Sequence, residues 1–328
     1  MTHDYPALTV PSRTIPVPTS VSPAAQAILA VGPRETEHAG FPDLNDAEGW
    51  RRRAVEHCEQ IVELAGPRLA TIPVRTETLS VGVGVPVYVV APPGFDESDD
   101  RVLLDVHGGA FFLGGGECCR IMAVRTALNT GMKVWAVDYR MPPDHPYPAP
   151  LDDCVVAYRA LLERVPAHRV VVSGDSAGGN IAAAMILRAR DEGLPLPAAA
   201  VLATPEVDLT ESGDSLNTNV GLDNVLPQRL MPANLLYAAG HELSGPYLSP
   251  LFADLAKGFP PTLLSSGTRD LFLSNTVLFH RALRRVGVRA DLHVVEAAGH
   301  GGYMGQAPED EEIQAEVRAF IAEHCRTE

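Results

Sequence analysis

The residues GDSAG at positions 174–178 could carry nucleophilic chemistry, because their serine lies where an apolar run gives way to a helical pattern. A strand-to-helix turn tight enough to expose a serine strains the backbone, and Gly174 and Gly178 remove side chains that would collide there. A serine at the start of a helix also faces the positive end of the helix dipole, which favours developing negative charge. The pattern therefore predicts that Ser176 is a nucleophile.

Two residues further along the chain could activate that serine. A serine hydroxyl needs a base to take its proton, and a carboxylate must hold the base in the correct tautomer. Asp270 follows the seventh apolar run and His300 follows the eighth, so both are expected beyond the carboxyl ends of strands, where ligands bind in such sheets. The alternatives are a helix N-cap for Asp270, before a segment that begins at Ser274, and an ordinary loop histidine for His300.

A glycine-rich segment, HGGAFFLGGG, begins at His107 directly after the apolar run VLLDV. Attack on a carbonyl produces an oxyanion that needs preorganised donors, and glycines let backbone amides turn toward it. We expect the amides of Gly108 and Gly109 to donate, together with the amide of Ala177 after the nucleophile. The alternative is a flexible loop or a phosphate cradle, although no lysine follows, as a nucleotide-binding loop requires.

From about Val74 onward, short apolar runs alternate with longer helical segments, which is typical of strands joined by crossover helices. The first two runs are too close for a helix between them, so we expect an antiparallel hairpin there and parallel strands afterwards. The sequence thus predicts an α/β fold with an eight-stranded, mostly parallel sheet that has helices on both faces. The predicted strands are 74–80, 85–91, 102–106, 132–138, 169–173, 199–204, 261–266 and 290–296, and the predicted helices are 118–129, 151–164, 176–192, 274–286 and 310–324.

Two regions do not follow this alternation and are predicted to form a cap. The first is residues 1–72, with a proline-rich opening interpreted as an extended arm and an amphipathic helix over 46–64. The second is an insertion at about 206–240 within a catalytic domain of residues 73–328, and it is longer than a simple connection. A helix is expected there over 227–238, with Pro227 in its first turn.

Taken together, these segments resemble the hormone-sensitive lipase family of α/β-hydrolase esterases, also called bacterial family IV, over roughly residues 74–325. The resemblance implies that the HGG segment supplies oxyanion donors, that the GDSAG serine is the nucleophile, and that the two irregular regions form a cap over the acyl site. It also implies a segment that braces the core near the site. The resemblance rests on HGGAFFLGG at 107–115, VDYRMPPDHPYPAPLDD at 137–153, GDSAGGN at 174–180, DLT at 208–210, Asp270 and His300, and the bracing residues are Asp138, Tyr139, Arg140, Asp152 and Asp153.

Two features depart from the family pattern. The family commonly has an aromatic residue two positions before the DL pair, but this chain has Glu206, a charge that is expected to change the acyl or alcohol pocket. His300 is followed by Gly301 and Gly302, where the family often has an apolar or aromatic residue sooner. Neither departure removes a catalytic group, so both bear on substrate preference.

Composition narrows the classes of function. The 328 residues include 41 acidic and 26 basic ones, and the resulting net charge of -15 repels phosphate backbones, which disfavours nucleic-acid partners. No apolar stretch is long enough to span a membrane, and the N-terminus lacks a secretory pattern. The five cysteines have no regular spacing, which suits free thiols in the cytoplasm, while adjacent Cys118 and Cys119 leave metal binding or redox sensing as alternatives.

The sequence therefore predicts a serine carboxylesterase that hydrolyses short-to-medium acyl esters of small molecules through an acyl-enzyme, with no cofactor and no metal. Aromatic residues make up only 6% of the chain and no long hydrophobic stripe is visible, which disfavours a lipase that works at lipid droplets. The same triad could serve a lactone, carbamate or aryl-amide hydrolase. A second class is a non-catalytic small-molecule receptor on this fold, which the complete triad disfavours. A homodimer and a monomer are both compatible with the sequence.

Overall fold

One β-sheet lies between two layers of helices in the computed structural model, which describes residues 7–33 and 40–326. Residues 1–6 of the expected arm and residues 34–39 of the first cap region lie outside this description, as do the last two residues. Residues 7–18 of the arm contain neither helix nor strand.

The sheet has eight strands in the order β1-β2-β4-β3-β5-β6-β7-β8. The β1–β2 and β2–β4 pairs are antiparallel and the other pairs are parallel, which confirms the predicted hairpin and the mostly parallel sheet. The strands are β1 (Arg75–Val81), β2 (Val85–Ala91), β3 (Val102–Val106), β4 (Lys133–Val137), β5 (Val170–Asp175), β6 (Ala199–Ala203), β7 (Thr262–Gly267) and β8 (Ala290–Val295).

The central strands are apolar throughout because helices cover both of their faces. Successive residues of β3 alternate between two cores: Leu104 packs in one cluster and Leu103 in the other. The helices are α1 (Pro23–Val31), α2 (Ala47–Leu69), α3 (Glu117–Thr130), α4 (Ala149–Leu162), α5 (Ala177–Asp191), α6 (Ser215–Thr218), α7 (Met231–Ala238), α8 (Leu273–Arg285) and α9 (Pro308–His324). The larger cluster includes residues of α4, α5 and α8, and the smaller one includes residues of α3 and α9.

The helix of the insertion begins later than the sequence indicates. It begins at Met231 and not at Pro227, and the proline in its first turn is Pro232. The carbonyl oxygen of Pro227 instead accepts the amide of Gly221 at 3.2 Å, which closes a loop before the helix. Pro227 and Pro232 both suit the first turn of a helix, so the sequence alone does not distinguish between them. The contact of Pro227 in the loop explains why the helix begins at the later position.

The N-terminal segment contacts the rest of the chain at two places. Ser22 at the start of α1 donates from its amide and its hydroxyl to the carboxylate of Glu309 in α9, at 2.6 and 2.8 Å. Helix α2 packs against α3, and the fully buried Trp50 at its start donates from Nε1 to the carbonyl oxygen of Asp43 at 3.0 Å. This arrangement brings α2 beside the loop that follows β3.

None of the helices in the described ranges combines the length and the apolar character that a membrane span requires.

Candidate active site

The predicted site residues follow strands that end at one edge of the sheet. Strands β3, β5, β7 and β8 run parallel, so their carboxyl ends lie together. His107 follows β3, Ser176 follows β5, Asp270 follows β7 and His300 follows β8. In open α/β sheets this edge is where ligands bind.

Ser176 occupies the turn between β5 and α5 with φ 56° and ψ -120°. Its amide donates to the carbonyl oxygen of Ala203 at 2.9 Å, and its own carbonyl accepts the amides of Asn180 and Glu206, both at 3.2 Å. A positive φ is uncommon for a residue with a side chain, so surrounding contacts of this kind are needed to hold it. The serine is thereby fixed at the N-terminus of α5.

The glycines on either side of Ser176 allow backbone segments to approach each other closely. A Cβ on Gly178 would lie 2.0 Å from the carbonyl oxygen of Val106, and a Cβ on Gly174 would lie 2.3 Å from the carbonyl oxygen of Gly178. Backbone atoms cannot rotate away as a flexible side chain could. These glycines therefore let α5 start against the end of β3.

Asp270 and His300 are joined by a hydrogen bond of 3.1 Å between Oδ1 and Nδ1. The carboxylate of Asp270 is fully buried; its Oδ1 also accepts the amide of Phe272 at 2.9 Å, and its Oδ2 accepts the hydroxyl of Ser266 at 2.6 Å. The ring of Phe272 meets the imidazole edge to face, with 5.1 Å between centroids. The acid is thus held in place, and Nε2 of the histidine is left for other partners.

The charges around His300 change its proton affinity. Burial alone would lower the pKa of His300, but the charge and hydrogen bond of Asp270, with the charges of Asp175 and Asp223, raise that pKa to about 9. A pKa this high leaves most of the resting imidazole protonated at neutral pH, so His300 becomes able to act as a base only as the pH rises toward 9, and the same charges then stabilise the imidazolium formed during catalysis.

Ser176 Oγ and the His300 ring share no hydrogen bond in the described part of the chain; the bonds of His300 go to Asp223 and Asp270. Hydrogen bonds between nucleophile and base are often long in the resting enzyme and shorten when substrate binds. The structure therefore brings Asp270 and His300 into contact and places Ser176 at the same edge of the sheet.

Tyr139 holds the start of the loop of residues 107–116. The phenol ring stacks on the ring of His107 with 4.1 Å between centroids, and the hydroxyl donates to the carbonyl oxygen of His107 at 2.8 Å. Gly109 has φ 125°, which favours glycine. No acceptor among the described residues receives the amides of Gly108, Gly109 or Ala177, so these three donors are available to an oxyanion.

Two aromatic residues of the same loop contact the predicted cap regions. Phe111 stacks on Tyr237 of α7 with 4.2 Å between centroids, and Phe112 meets Trp50 of α2 edge to face at 4.7 Å. Phe111 has φ 69°, a strained value that its complete burial helps to maintain. The loop that carries Gly108 and Gly109 is therefore fixed from both the N-terminal segment and the insertion.

The segment that the resemblance assigns to bracing makes structural contacts. Arg140 forms an ion pair of 2.8 Å with the buried Asp153, whose Oδ2 also accepts the amide of Arg140 at 2.9 Å. Asp138 accepts the amide of Gly116 at 2.9 Å, and Asp152 pairs with an arginine of α5. These contacts connect the glycine-rich loop to α4 and α5.

Glu206 is fully buried beside the nucleophile. Its Oε1 accepts Nδ2 of Asn234 in α7 at 2.7 Å, whereas its Oε2 has no partner among the described residues. Burial raises the pKa of Glu206 to about 8, so the carboxyl is protonated at neutral pH. The sequence indicates a charge at this position, whereas burial without a paired lysine or arginine among the described residues favours a neutral carboxyl, and the nearby charge of His300 offsets the loss of hydration only in part.

Sequence reasoning missed the residues that contact the acid and the base directly. Ser266 and Phe272 lie on either side of Asp270 in the chain, so their contacts could have been expected from proximity. Asp223 is 47 residues before Asp270 and belongs to no recognisable motif. Its contacts are visible only in the folded chain.

A second cluster, His107, Cys119 and Asp138, has its potential ligand atoms within 4.8 Å of one another. Both oxygens of Asp138 already accept hydrogen bonds, from Gly116 and Tyr88. Burial raises the pKa of Cys119 well above its ordinary value, which opposes the thiolate that metal binding needs. The donor set therefore fits a structural role, and the thiols of Cys118 and Cys119 are both free.

The sequence model of one protein family, described as an alpha/beta hydrolase fold, matches residues 103–304. An esterase of Acinetobacter venetianus is 31% identical over 228 residues, which are 68% of this chain and 75% of that protein. The carboxylesterase NlhH of Mycobacterium tuberculosis is 32% identical over 242 residues, 69% of this chain and 75% of that protein.

Solved structures show the same similarity over almost the whole chain. The crystal structure of an esterase E25 superposes with a TM-score of 0.91 at 36% identity, and the match covers 98% of this chain and 99% of that chain. An esterase from the bacterial hormone-sensitive lipase family superposes with a TM-score of 0.74 at 30% identity, over 93% of this chain and 99% of that chain.

Proposed function

Because the chain belongs to the α/β-hydrolase fold family, with bacterial hormone-sensitive lipase esterases among its structural neighbours, we propose that it is a carboxylesterase whose triad is Ser176, Asp270 and His300. Hydrolysis of carboxylic esters is the activity that its named relatives support. The observation that carries the residue assignment is the buried Asp270–His300 hydrogen bond, at the sheet edge where Ser176 is held with positive φ.

The chemistry proceeds through an acyl-enzyme. Ser176 Oγ attacks the ester carbonyl while His300 takes its proton, and Asp270 orients the ring and stabilises its charge. The amides of Gly108, Gly109 and Ala177 bind the oxyanion of the tetrahedral intermediate. His300 then protonates the leaving alcohol, and water activated by the same histidine releases the acid and restores the serine.

The substrate class that we propose is a short-to-medium acyl ester of a small molecule. The rings of Phe111 and Phe112 are buried against the predicted cap and so form no open apolar face for a lipid surface, which supports small substrates over lipid droplets. Hydrolysis of a lactone, a carbamate or an aryl amide would use the same groups. The buried Asp270–His300 pair, at the sheet edge that carries Ser176, supports catalysis over a receptor function, since binding alone does not need an acid–base pair.

The first experiment is labelling with a fluorophosphonate probe, followed by peptide mass spectrometry, with p-nitrophenyl esters from acetate to palmitate assayed in parallel. We expect one adduct on Ser176 and turnover that favours the shorter esters. Ser176→Ala should fold normally and lose turnover by about 10⁴-fold or more. Turnover of that variant within tenfold of the parent would place the nucleophile elsewhere, and no adduct together with no turnover would favour a receptor.

We also propose a cytoplasmic location, which the five free thiols support because reducing compartments keep cysteines unpaired. Light scattering on the purified protein separates a monomer from the homodimer that the sequence leaves open.

A further inference from the structure

Asp223 lies between the loop that carries Asp270 and the loop that carries His300. It belongs to the insertion, between α6 and α7, and it is fully buried. Asn219 in the same segment donates from Nδ2 to the carbonyl oxygen of Asp270 at 2.9 Å and to that of Thr268 at 3.2 Å. The insertion therefore contacts the backbone of the loop that carries Asp270 directly.

One oxygen of Asp223 bridges the two loops. Its Oδ2 accepts the amide of His300 at 3.0 Å and the amide of Leu271, the residue after Asp270, at 3.1 Å. Its Oδ1 accepts the amides of Val225 and Leu226, both at 2.9 Å. The carboxylate thus accepts hydrogen bonds from four backbone amides, two at each oxygen.

A simpler role, closing the local turn, accounts for only half of these bonds. A turn at 223–226 needs Oδ1 alone, as a side chain that accepts amides two and three residues later. The partners of Oδ2 are 48 and 77 residues away in the sequence and belong to the acid and base loops. Burial of a carboxylate is costly, so a position that served only the turn would be satisfied by a neutral asparagine or serine.

We propose that Asp223 is a positioning residue of the catalytic centre, which fixes the backbones of His300 and Leu271 relative to each other and so sets the geometry of the Asp270–His300 pair. This inference rests on the proposed function, because it assigns a role to Asp223 through that pair. Hydrogen bonds to a charged acceptor are the stronger kind, and they make the bridge rigid.

The charge of Asp223 has a second effect, on the proton affinity of the base. The groups that act on His300 are Asp270 after β7, Asp175 at the end of β5, Asp223 in the insertion and Glu206 after β6. Of these, Asp270, Asp175 and Asp223 raise the pKa of His300. Burial raises the pKa of Asp223 itself, and the charge of His300 opposes that change. Loss of the Asp223 charge should therefore lower the pKa of His300.

The test is Asp223→Asn, with kcat and kcat/KM for p-nitrophenyl acetate measured from pH 5 to pH 10. In the parent, kcat/KM should fall on the acid side with a midpoint above the ordinary histidine value. In the variant we expect kcat to fall by about tenfold or more, KM to change less than about threefold, and the acid-side midpoint to move to lower pH. A purely structural role would lower the thermal midpoint without moving the pH profile.

The matched control is Asp310→Asn. Asp310 also bridges two backbone amides with its carboxylate, those of Tyr303 and Ala307 in the loop after His300, at 2.8 and 3.2 Å. Its substitution should leave the acid-side midpoint unchanged. A folded Asp223→Asn enzyme with parental kcat and an unmoved midpoint would overturn the proposal.

A second variant covers the case in which Asp223→Asn does not fold. Asp223→Glu keeps the charge but moves the carboxylate by one methylene, so the acid-side midpoint should stay high while kcat falls. Parental kcat in folded Asp223→Glu would also overturn the proposal. Fluorophosphonate labelling of the parent separates the two claims, because absence of an adduct on Ser176 would refute the proposed function itself.

Discussion

Glu206 shows how burial, more than residue type, sets the chemistry of a single side chain. Its amide is bonded to the carbonyl of the nucleophile and its Oε1 to Asn234 of the insertion. Because its pKa is raised to about 8 from an ordinary 4.5, the folded protein binds a proton there that the unfolded chain releases. This proton links stability to pH.

The sign of that linkage follows from the raised pKa. The contribution of Glu206 to stability is complete below pH 4.5 and is lost progressively as the pH rises to about 8. Glu206→Gln cannot ionise and keeps the bond from Asn234. We expect the thermal midpoint of the variant, relative to the parent, to rise between pH 5 and pH 8 and to level off above that range, as measured by calorimetry.

The control for this prediction is Glu312→Gln on the exposed surface of α9. Its midpoint relative to the parent should not change with pH in the same range. A constant difference for Glu206→Gln would mean that Glu206 is ionised in the folded protein at neutral pH.

At the scale of single residues, the sequence indicated the proposed reacting groups more directly than the residues that surround them. Ser176 and His300 stand in motifs with neighbouring glycines. Those glycines indicate tight turns, and such turns can be recognised from the sequence alone. Asp223 and the protonated state of Glu206 depend on contacts between segments far apart in sequence, which leave no pattern of spacing.

At the scale of elements, the turn between β5 and α5 depends on contact between backbones. A Cβ at position 178 would meet the carbonyl oxygens of Val106 and His107 at 2.0 and 2.4 Å. To relieve this clash, α5 must move away from the end of β3, where the proposed oxyanion loop begins.

Gly178→Ala should therefore damage activity more than stability. We expect a loss of about 1–3 kcal/mol in the free energy of unfolding and a fall in kcat of roughly 100-fold, because small displacements of catalytic groups have large effects on rate. Urea unfolding and ester turnover measure the two effects.

Gly66→Ala in α2 is the comparison for that change, since apart from its chain neighbours a Cβ there meets only the side chain of Val62, at 3.7 Å. Pro67 follows and disfavours a helical residue with a Cβ before it, which opposes the helix preference of alanine, so stability should change by less than about 1 kcal/mol and kcat should stay unchanged. Equal kcat values for the two alanine variants would contradict our account of the turn.

The elements themselves were largely predictable from periodicity. Strands β2 and β3 have the predicted bounds, and the other strands differ by one or two residues at either end. The alternation of apolar runs with helical segments depends only on residues close together in the chain, so it can be recognised from the sequence. The predicted start of α7 was wrong, because the choice between Pro227 and Pro232 depends on the contact of Pro227 with Gly221.

At the scale of the whole molecule, the two predicted cap regions converge on one catalytic loop. Trp50 from the N-terminal segment packs on Phe112, and Tyr237 from the insertion packs on Phe111. Segments that are distant in sequence therefore both hold the loop that carries the proposed oxyanion donors, and composition alone could not have revealed this.

Trp50→Ala tests the contribution of the N-terminal segment. Removal of a fully buried indole should lower the free energy of unfolding by about 3–5 kcal/mol and, since Phe112 loses its support, reduce kcat by about tenfold. Denaturant unfolding and p-nitrophenyl acetate turnover provide the measurements. Trp135→Phe in β4, away from this loop, serves as the control and should retain parental kcat; a Trp50→Ala enzyme with parental kcat would show that the loop holds its shape without α2.

The insertion contacts the site at two places, through the segment 219–223 and through α7, and this has a consequence for evolution. Asn219 and Asp223 hold the loops of Asp270 and His300 through hydrogen bonds, whereas the side chain of Leu235 on α7 is 41% exposed. A mutation at an exposed position of α7 leaves these hydrogen bonds in place, but one at Asn219 or Asp223 alters the rate. Under selection for new substrates, we expect diversity to accumulate on the exposed face of α7 and the short segment before it to remain constant.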